Sequence, residues 1–254
     1  MHYSVCAPAV LNGKPIHETL PSIADAGFNR YEIWSWWDQD VDACQKVQLE
    51  KQLSIAALCT YFVSLTDPAC REEYLNGLQK TIQICHKLGC KTIISQVGQE
   101  LENVSREMQH ASIVAGLREC IPLLKENDIT LVIEPLNTRI DHPGYYLWSS
   151  EEAFQIIDEV GDEHIKVLYD LYHQYVMDDL SIEKIVENID KIGHFHIAGY
   201  PGRHEPMINS EINYPEILNA IRNSCYQKSI GLEYFPVQDG AEGLKTLFRQ
   251  LEAI

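Results

Sequence analysis

Eight short runs of β-branched, aromatic and aliphatic residues recur along the chain at intervals of roughly 25 to 40 residues, each followed by a longer amphipathic stretch. The runs are His2–Ala7, Arg30–Trp36, Ser54–Phe62, Thr92–Val97, Thr130–Leu136, Ile165–His173, Ile192–Ala198 and Ser229–Phe235. Strand-then-helix alternation implies parallel strands, because a chain that must re-enter a sheet in the same direction needs a long crossover, usually a helix. Eight such units close a parallel sheet on itself, so the expectation is an α/β fold, a single (β/α)8 barrel of the TIM type over residues 1–254. Glu72–Leu88 shows the helical pattern, with Leu75, Leu78, Ile82, Cys85 and Leu88 on one face and Gly89 as a stop. Ser149, Ser150 and Ser181, each followed by acidic residues, read as helix starts. No Gly/Ser/Pro-rich linker interrupts the repeat, and one domain is expected. An open doubly wound sheet would need a Gly-rich phosphate loop after the first strand, and Ala7-Pro8-Ala9-Val10-Leu11-Asn12-Gly13 contains neither GxGxxG nor a P-loop.

Composition removes several function classes. The chain carries 37 acidic against 20 basic residues, a net charge of −17, which opposes binding to nucleic acid. No apolar run approaches the ~20 residues that cross a bilayer. The N-terminus, MHYSVCAPAVLNGK, lacks the basic-then-apolar order of a secretory signal, and a cytoplasmic location is expected. The eight cysteines include no CxxC pair and are read as buried free thiols. A small molecule is the expected partner; association of copies is left open.

In a parallel barrel, chemistry collects where strands run out into the following loops. Four consecutive strands put a metal-ligand type there: Glu134 after Leu131-Val132-Ile133, Asp170 after Val167-Leu168-Tyr169, His196 within His194–Ala198, and Glu233 after Ile230-Gly231-Leu232. Adjacent strands lie ~4.8 Å apart. Three carboxylates converging at that spacing repel one another unless a cation neutralises them. Three oxygen donors with one imidazole and no thiolate suit Mn²⁺ or Mg²⁺, with Co²⁺, Fe²⁺ and Zn²⁺ also compatible.

The motifs EPLNTR, YDLYHQ, GHFHIA, PGRHEP, SEINY and GLEYFP resemble those of the hydroxypyruvate isomerase family within the xylose-isomerase-like barrels. The likeness is clearest over residues 130–236; the first half matches in strand layout and length. The resemblance implies a metal held by Glu134, Asp170, His196 and Glu233, with Glu134 and Glu233 also the catalytic acid/base pair. It implies isomerisation of a small 2-oxo hydroxy acid, hydroxypyruvate to tartronate semialdehyde. A ketose 3-epimerase or a 2-oxo-tetronate isomerase would use the same residue types; a related DNA-repair endonuclease would want more histidines and a basic face, and a non-catalytic binding barrel could lose either glutamate.

His173, Arg203, Arg139 and Glu205 are the substrate-binding candidates, with His204 beside them. Arg203 lies in the loop after strand seven, where a guanidinium grips a carboxylate bidentately. Arg139 follows the same logic, with surface ion pairing as its alternative, and His173 is either a substrate contact or a satisfied buried histidine. Glu32 could face the site from strand two with the Trp cluster as its wall; Trp34, Trp36 and Trp37 are read instead as core and loop packing. Lys91 and Lys166 precede their strands, at the opposite face, and receive no catalytic role. Gly199-Tyr200 and Met207–Glu211 depart from the family pattern in the loop after strand seven, where barrel enzymes alter substrate choice.

Overall fold

The computed structural model describes residues 1–254. In chain order the elements of the first half are β1 (His2–Cys6), α1 (Ala7–Val10), α2 (Ile16–Asp25), β2 (Arg30–Ile33), α3 (Val41–Glu50), β3 (Ser54–Cys59), α4 (Arg71–Leu88), β4 (Thr92–Ser95) and α5 (Arg106–Asn127). The second half runs β5 (Thr130–Ile133), α6 (Ser150–Val160), β6 (Ile165–Asp170), α7 (Leu171–Val176), α8 (Ile182–Glu187), β7 (Ile192–Ile197), α9 (Tyr214–Arg222), β8 (Ser229–Leu232) and α10 (Gly240–Glu252). The eight strands form one closed barrel in sequence order, and β1 pairs in parallel with β8 to complete it.

Every strand starts where the apolar pattern starts and ends one to three residues before the pattern does. The surplus residues leave the hydrogen-bonded ladder to turn into the upper loops; many, such as Trp34, Leu136, Leu171 and Phe235, remain apolar or aromatic, while Gln96, Glu134 and Glu233 are polar. The correction matters most in β6, which stops at Asp170: Leu171–His173, read as strand, begin helix α7. Asp170 accepts from the backbone N–H groups of Tyr172 and His173, so the end of the strand is also the cap of the helix.

The helices behave as their sequences require. Ser149 and Ser181 cap α6 and α8, and α4 ends against Gly89, which takes the left-handed backbone. Between helices and barrel lies a core of 65 buried residues, while the barrel interior holds a second apolar group of Ala57, Cys59, Ile94, Val132 and Leu168. Inward positions alternate along a strand. Two residues beyond Val132 and Leu168 come Glu134 and Asp170. In β7 an extra residue, Gly193, interrupts the pairing with β6 and sets Leu168 opposite His194 and Asp170 opposite His196. A Cβ at Gly193 would meet Val132 Cγ1 at 2.5 Å, so the irregularity needs glycine. Of the cysteines, Cys6, Cys44, Cys59, Cys85, Cys90 and Cys120 are buried free thiols; Cys70 is half-buried and Cys225 exposed, contrary to the expectation for those two. No helix is long and apolar enough to cross a membrane.

Candidate active site

The four strand-end ligand types do converge. One ligand atom from each of Glu134, Asp170, His196 and Glu233 lies within 4.8 Å of the others, and all four residues are buried. His196 Nδ1 is 3.6 Å from Glu134 Oε1 and 3.4 Å from Glu233 Oε2, too far for good hydrogen bonds. Glu134 Oε1, Asp170 Oδ2 and His196 Nδ1 are buried without any hydrogen-bond partner. Native structures rarely leave such atoms unpaired, and three of them facing one another form a candidate position for a cation. Asp170 divides its two oxygens: Oδ1 caps α7 and Oδ2 is left for the cluster.

The electrostatics agree. Burial pushes the Asp170 carboxyl up to about 7 against the attraction of Arg203, with Glu134 and Glu233 adding repulsion. Burial also opposes charge on Glu233, but His196 and Arg203 outweigh it and hold that carboxyl well below the usual range. His196 is pulled well above the usual imidazole value, since Glu233 and Glu32 overcome its desolvation. A divalent cation would supply the positive charge the cluster now draws from His196 and Arg203, and the donor set of three carboxylates and one imidazole fits such an ion.

Glu233 is the most constrained of the four. Trp34 donates its indole N–H to Oε1 at 2.6 Å, and Arg203 donates to Oε2. Arg203 has a left-handed backbone (φ 56°), and its guanidinium lies over the rings of Tyr172 (5.5 Å) and Phe235 (5.4 Å). Its buried Nε has no partner. Arg203, His196, Glu134 and Glu233 line a cavity of about 260 Å³, walled by Trp34 and Phe235. Trp34 is therefore a wall of the site and a donor to it, which corrects the packing role read from sequence; Trp36 and Trp37 do pack, against each other and Tyr61.

His173 is wholly buried, with Nε2 3.6 Å from Asp170 Oδ2. Its Nδ1 accepts from the backbone N–H of Asn137 at 3.3 Å and from the Asn137 side-chain amide at 2.6 Å. A backbone N–H can only donate, so the proton of the neutral ring is on Nε2, pointing toward the cluster. Burial, reinforced by Arg203, depresses the His173 pKa well below the ordinary value. The ring is a neutral hydrogen-bond donor and has no free lone pair for proton abstraction.

Arg139, Glu205, His204 and Glu32 fall outside the cavity lining. Arg139 pairs with Asp178 and the Val176 carbonyl, with half its side chain in solvent: its ion-pairing alternative is the one realised. Glu205 accepts from the Val237 backbone N–H at 3.2 Å, and His204 bonds the Phe235 carbonyl, so both fasten the loop after β7 to the segment after β8. Glu32 points into the barrel one layer below the ligands and contacts His194 and His196. Lys91 and Lys166 lie at the opposite end, bonded to Asp128 and the Asp190 carbonyl. Sequence reasoning missed Asn137, Gln96 and His142. Gln96 follows the apolar run of β4 as Glu134 follows β5, so the same test would have found it; His142, which lines the cavity from the loop after β5, carried no local signal.

A family model described as xylose isomerase-like TIM barrel matches residues 20–253. The chain is 34% identical over 230 residues to hydroxypyruvate isomerase from Escherichia coli (strain K12), covering 87% of this chain and 88% of that one. It is 30% identical over 177 residues to 2-oxo-tetronate isomerase from Cupriavidus necator, covering 70% of this chain and 67% of that one. The crystal structure of a protein described as AP endonuclease, family 2, from Brucella melitensis superposes with a TM-score of 0.92 at 24% identity, covering 98% of each chain. The 3-keto-D-glucoside 4-epimerase from E. coli superposes with a TM-score of 0.83 at 18% identity, over 100% of this chain and 98% of that one. At those identities the structural likeness is one of fold, whereas the family match and the relatives over most of the chain establish kinship: this chain belongs to the xylose-isomerase-like barrel family and is an isomerase.

Proposed function

We propose that this isomerase is divalent-metal-dependent and interconverts hydroxypyruvate and tartronate semialdehyde. The observation that carries the reading is the convergence of Glu134, Asp170, His196 and Glu233 with three of their buried ligand atoms unpaired. These four residues would hold the ion, with Mn²⁺ or Mg²⁺ best matched to the oxygen-rich set. Bound there, a divalent cation stabilises negative charge developing on the two oxygens of an α-hydroxy carbonyl and so acidifies the adjacent C–H.

The protein's own groups do the rest. One of Glu134 and Glu233 takes a hydrogen from C3 of hydroxypyruvate as a proton, and the pair of electrons left behind forms the C2–C3 double bond of an enediolate. The other returns a proton to C2. The net change moves one carbon-bound hydrogen from C3 to C2 and one hydroxyl proton from O3 to O2, with no oxidant or organic cofactor. Trp34 and Arg203 keep the Glu233 carboxylate oriented and ionised between its proton transfers. The unpartnered Nε–H of Arg203 is available to the substrate carboxylate, and His173 Nε2–H to a substrate oxygen. Both contacts are charge- or dipole-matched to an anion in a strongly acidic protein.

The relative named as a 2-oxo-tetronate isomerase supports a second reading, since the same arginine would hold the carboxylate of a four-carbon acid. The test is proton NMR in D₂O of the Mn²⁺-loaded protein with hydroxypyruvate, 2-oxo-tetronates and a ketohexose. Deuterium entering hydroxypyruvate as tartronate semialdehyde accumulates is the expected result. Exchange confined to the ketohexose would replace the reading by a 3-epimerase.

A further inference from the structure

Beneath the ligand cluster the barrel interior contains a second polar layer that the reaction does not touch. Glu32, on β2, is 1% exposed and pairs with no lysine or arginine; its carboxylate accepts from three groups. His196 Nε2–H donates to Oε2 at 2.9 Å, His194 Nε2–H to Oε1 at 2.9 Å, and the Ser4 hydroxyl also to Oε1. The layer has been given room: on β8 the residue level with His196 is Gly231, and a Cβ there would lie 2.5 Å from Glu32 Oε1 and 2.5 Å from His196 Cδ2. Any other residue would push apart the contact between the carboxylate and the imidazole.

We propose that Glu32 is the positioning residue for His196, holding its Nε2–H so that Nδ1 is the nitrogen presented to Glu134, Asp170 and Glu233. The inference rests on the metal-centre reading above and deepens it. An imidazole in a pocket can turn over or shift its proton, and either change would put a C–H or an N–H where a lone pair is needed. A carboxylate behind the ring prevents both, because it can only accept. The donors around it also require Glu32 to be a carboxylate and not an amide. Its Oε1 receives Ser4 and His194 while its Oε2 receives His196, so both ends face donors. A glutamine would set its NH₂ against an N–H at one end, and one imidazole would have to turn or surrender its proton. His194, two residues before His196 on the same face of β7, completes the arrangement by holding the other carboxylate oxygen. Glu32 acts on the reaction only through His196; it does not reach the cavity lining.

The experiment compares wild type with Glu32→Gln in two measurements. Titration calorimetry with Mn²⁺ on protein stripped by chelator is expected to show affinity lowered about 10- to 100-fold in Glu32→Gln, at unchanged circular dichroism. Affinity within twofold of wild type in a folded variant overturns the proposal. The second measurement needs no metal and reads the wild-type protein: ¹⁵N-histidine NMR of metal-free wild type, with His196 assigned by the loss of its signal alone in His196→Asn at unchanged circular dichroism. A protected Nε2–H on His196 is expected in wild type, and its absence overturns the proposal. Should wild type fail to bind Mn²⁺ at all, the metal-centre reading falls, and the NMR result alone decides whether Glu32 orients the ring.

Discussion

Replacing Arg203 by Met separates what this residue does for the substrate from what it does for the protein. Methionine is unbranched and apolar, so it retains much of the packing on Tyr172 and Phe235 while removing the guanidinium. Two interactions are lost: the charge-assisted bond to Glu233 Oε2, and the unpartnered Nε–H offered to the cavity. Loss of the first affects every substrate, because the proton transfer proposed for Glu233 is the same whatever the substrate carries. Loss of the second affects only a substrate with a carboxylate. A hydrogen bond between charged groups is worth about 1.5–3 kcal/mol, which is about 10- to 150-fold in kcat/KM. Dihydroxyacetone has the same three-carbon α-hydroxy ketone skeleton without the carboxylate and isolates the common effect. Deuterium exchange into both compounds, followed by NMR on the Mn²⁺-loaded enzyme, gives the ratio of their kcat/KM values. Wild type should favour hydroxypyruvate, and Arg203→Met should reduce that preference by the factor above. An unchanged preference, with both substrates slowed alike, would refute carboxylate recognition by Arg203 and leave it as a support for Glu233 alone.

Saturating the site with Mn²⁺ at a hundred times its Kd should stabilise the protein by about 2.7 kcal/mol, a rise in Tm of about 5 °C for a chain of this length, and a thermal scan with and without chelator checks it. Absence of any shift alongside full activity would remove the metal from the mechanism. Glu134→Gln should lose about 10²- to 10⁴-fold in kcat while thermal stability stays close to wild type, because Oε1 of Glu134 has no protein partner to lose; near-normal solvent exchange in this variant would exclude it as a proton carrier. Trp34→Phe removes one donor from the Glu233 carboxylate and should lower kcat/KM by about 10-fold with little change in Tm, the hydrogen bond to a charged group being worth about 1.5 kcal/mol or more. Gly231→Ala should destabilise the fold by about 1–3 kcal/mol in urea titration, since its Cβ has no free space beside Glu32 and His196.

The order of strands and helices, the start of every strand and the convergence of four ligand-type residues were legible in the sequence, and for one reason. In a parallel barrel the local alternation of apolar runs with amphipathic stretches sets the topology, and the loops after the strands are where polar groups escape the core. A ligand type after an apolar run is thus a positional signal, and Glu134, Asp170, His196 and Glu233 all carried it. Strand ends were less legible because Leu136, Leu171 and Phe235 are apolar whether they belong to a ladder or to the loops that cover it. Beyond that convergence, side-chain partnership was hardly legible. Arg139 and Arg203 look alike in sequence, two arginines in loops following strands; only the folded chain leaves one beside Asp178 in solvent and tips the other, through a left-handed backbone, over Tyr172 and Phe235 into the cavity. The polar floor under the ligands was equally hidden, since Glu32 and His196 are 164 residues apart and meet across the barrel interior. What alternates along one strand is encoded locally, by the two-residue period of the backbone; what lies opposite it on another strand depends on register and closure, and those exist only once all eight strands have paired.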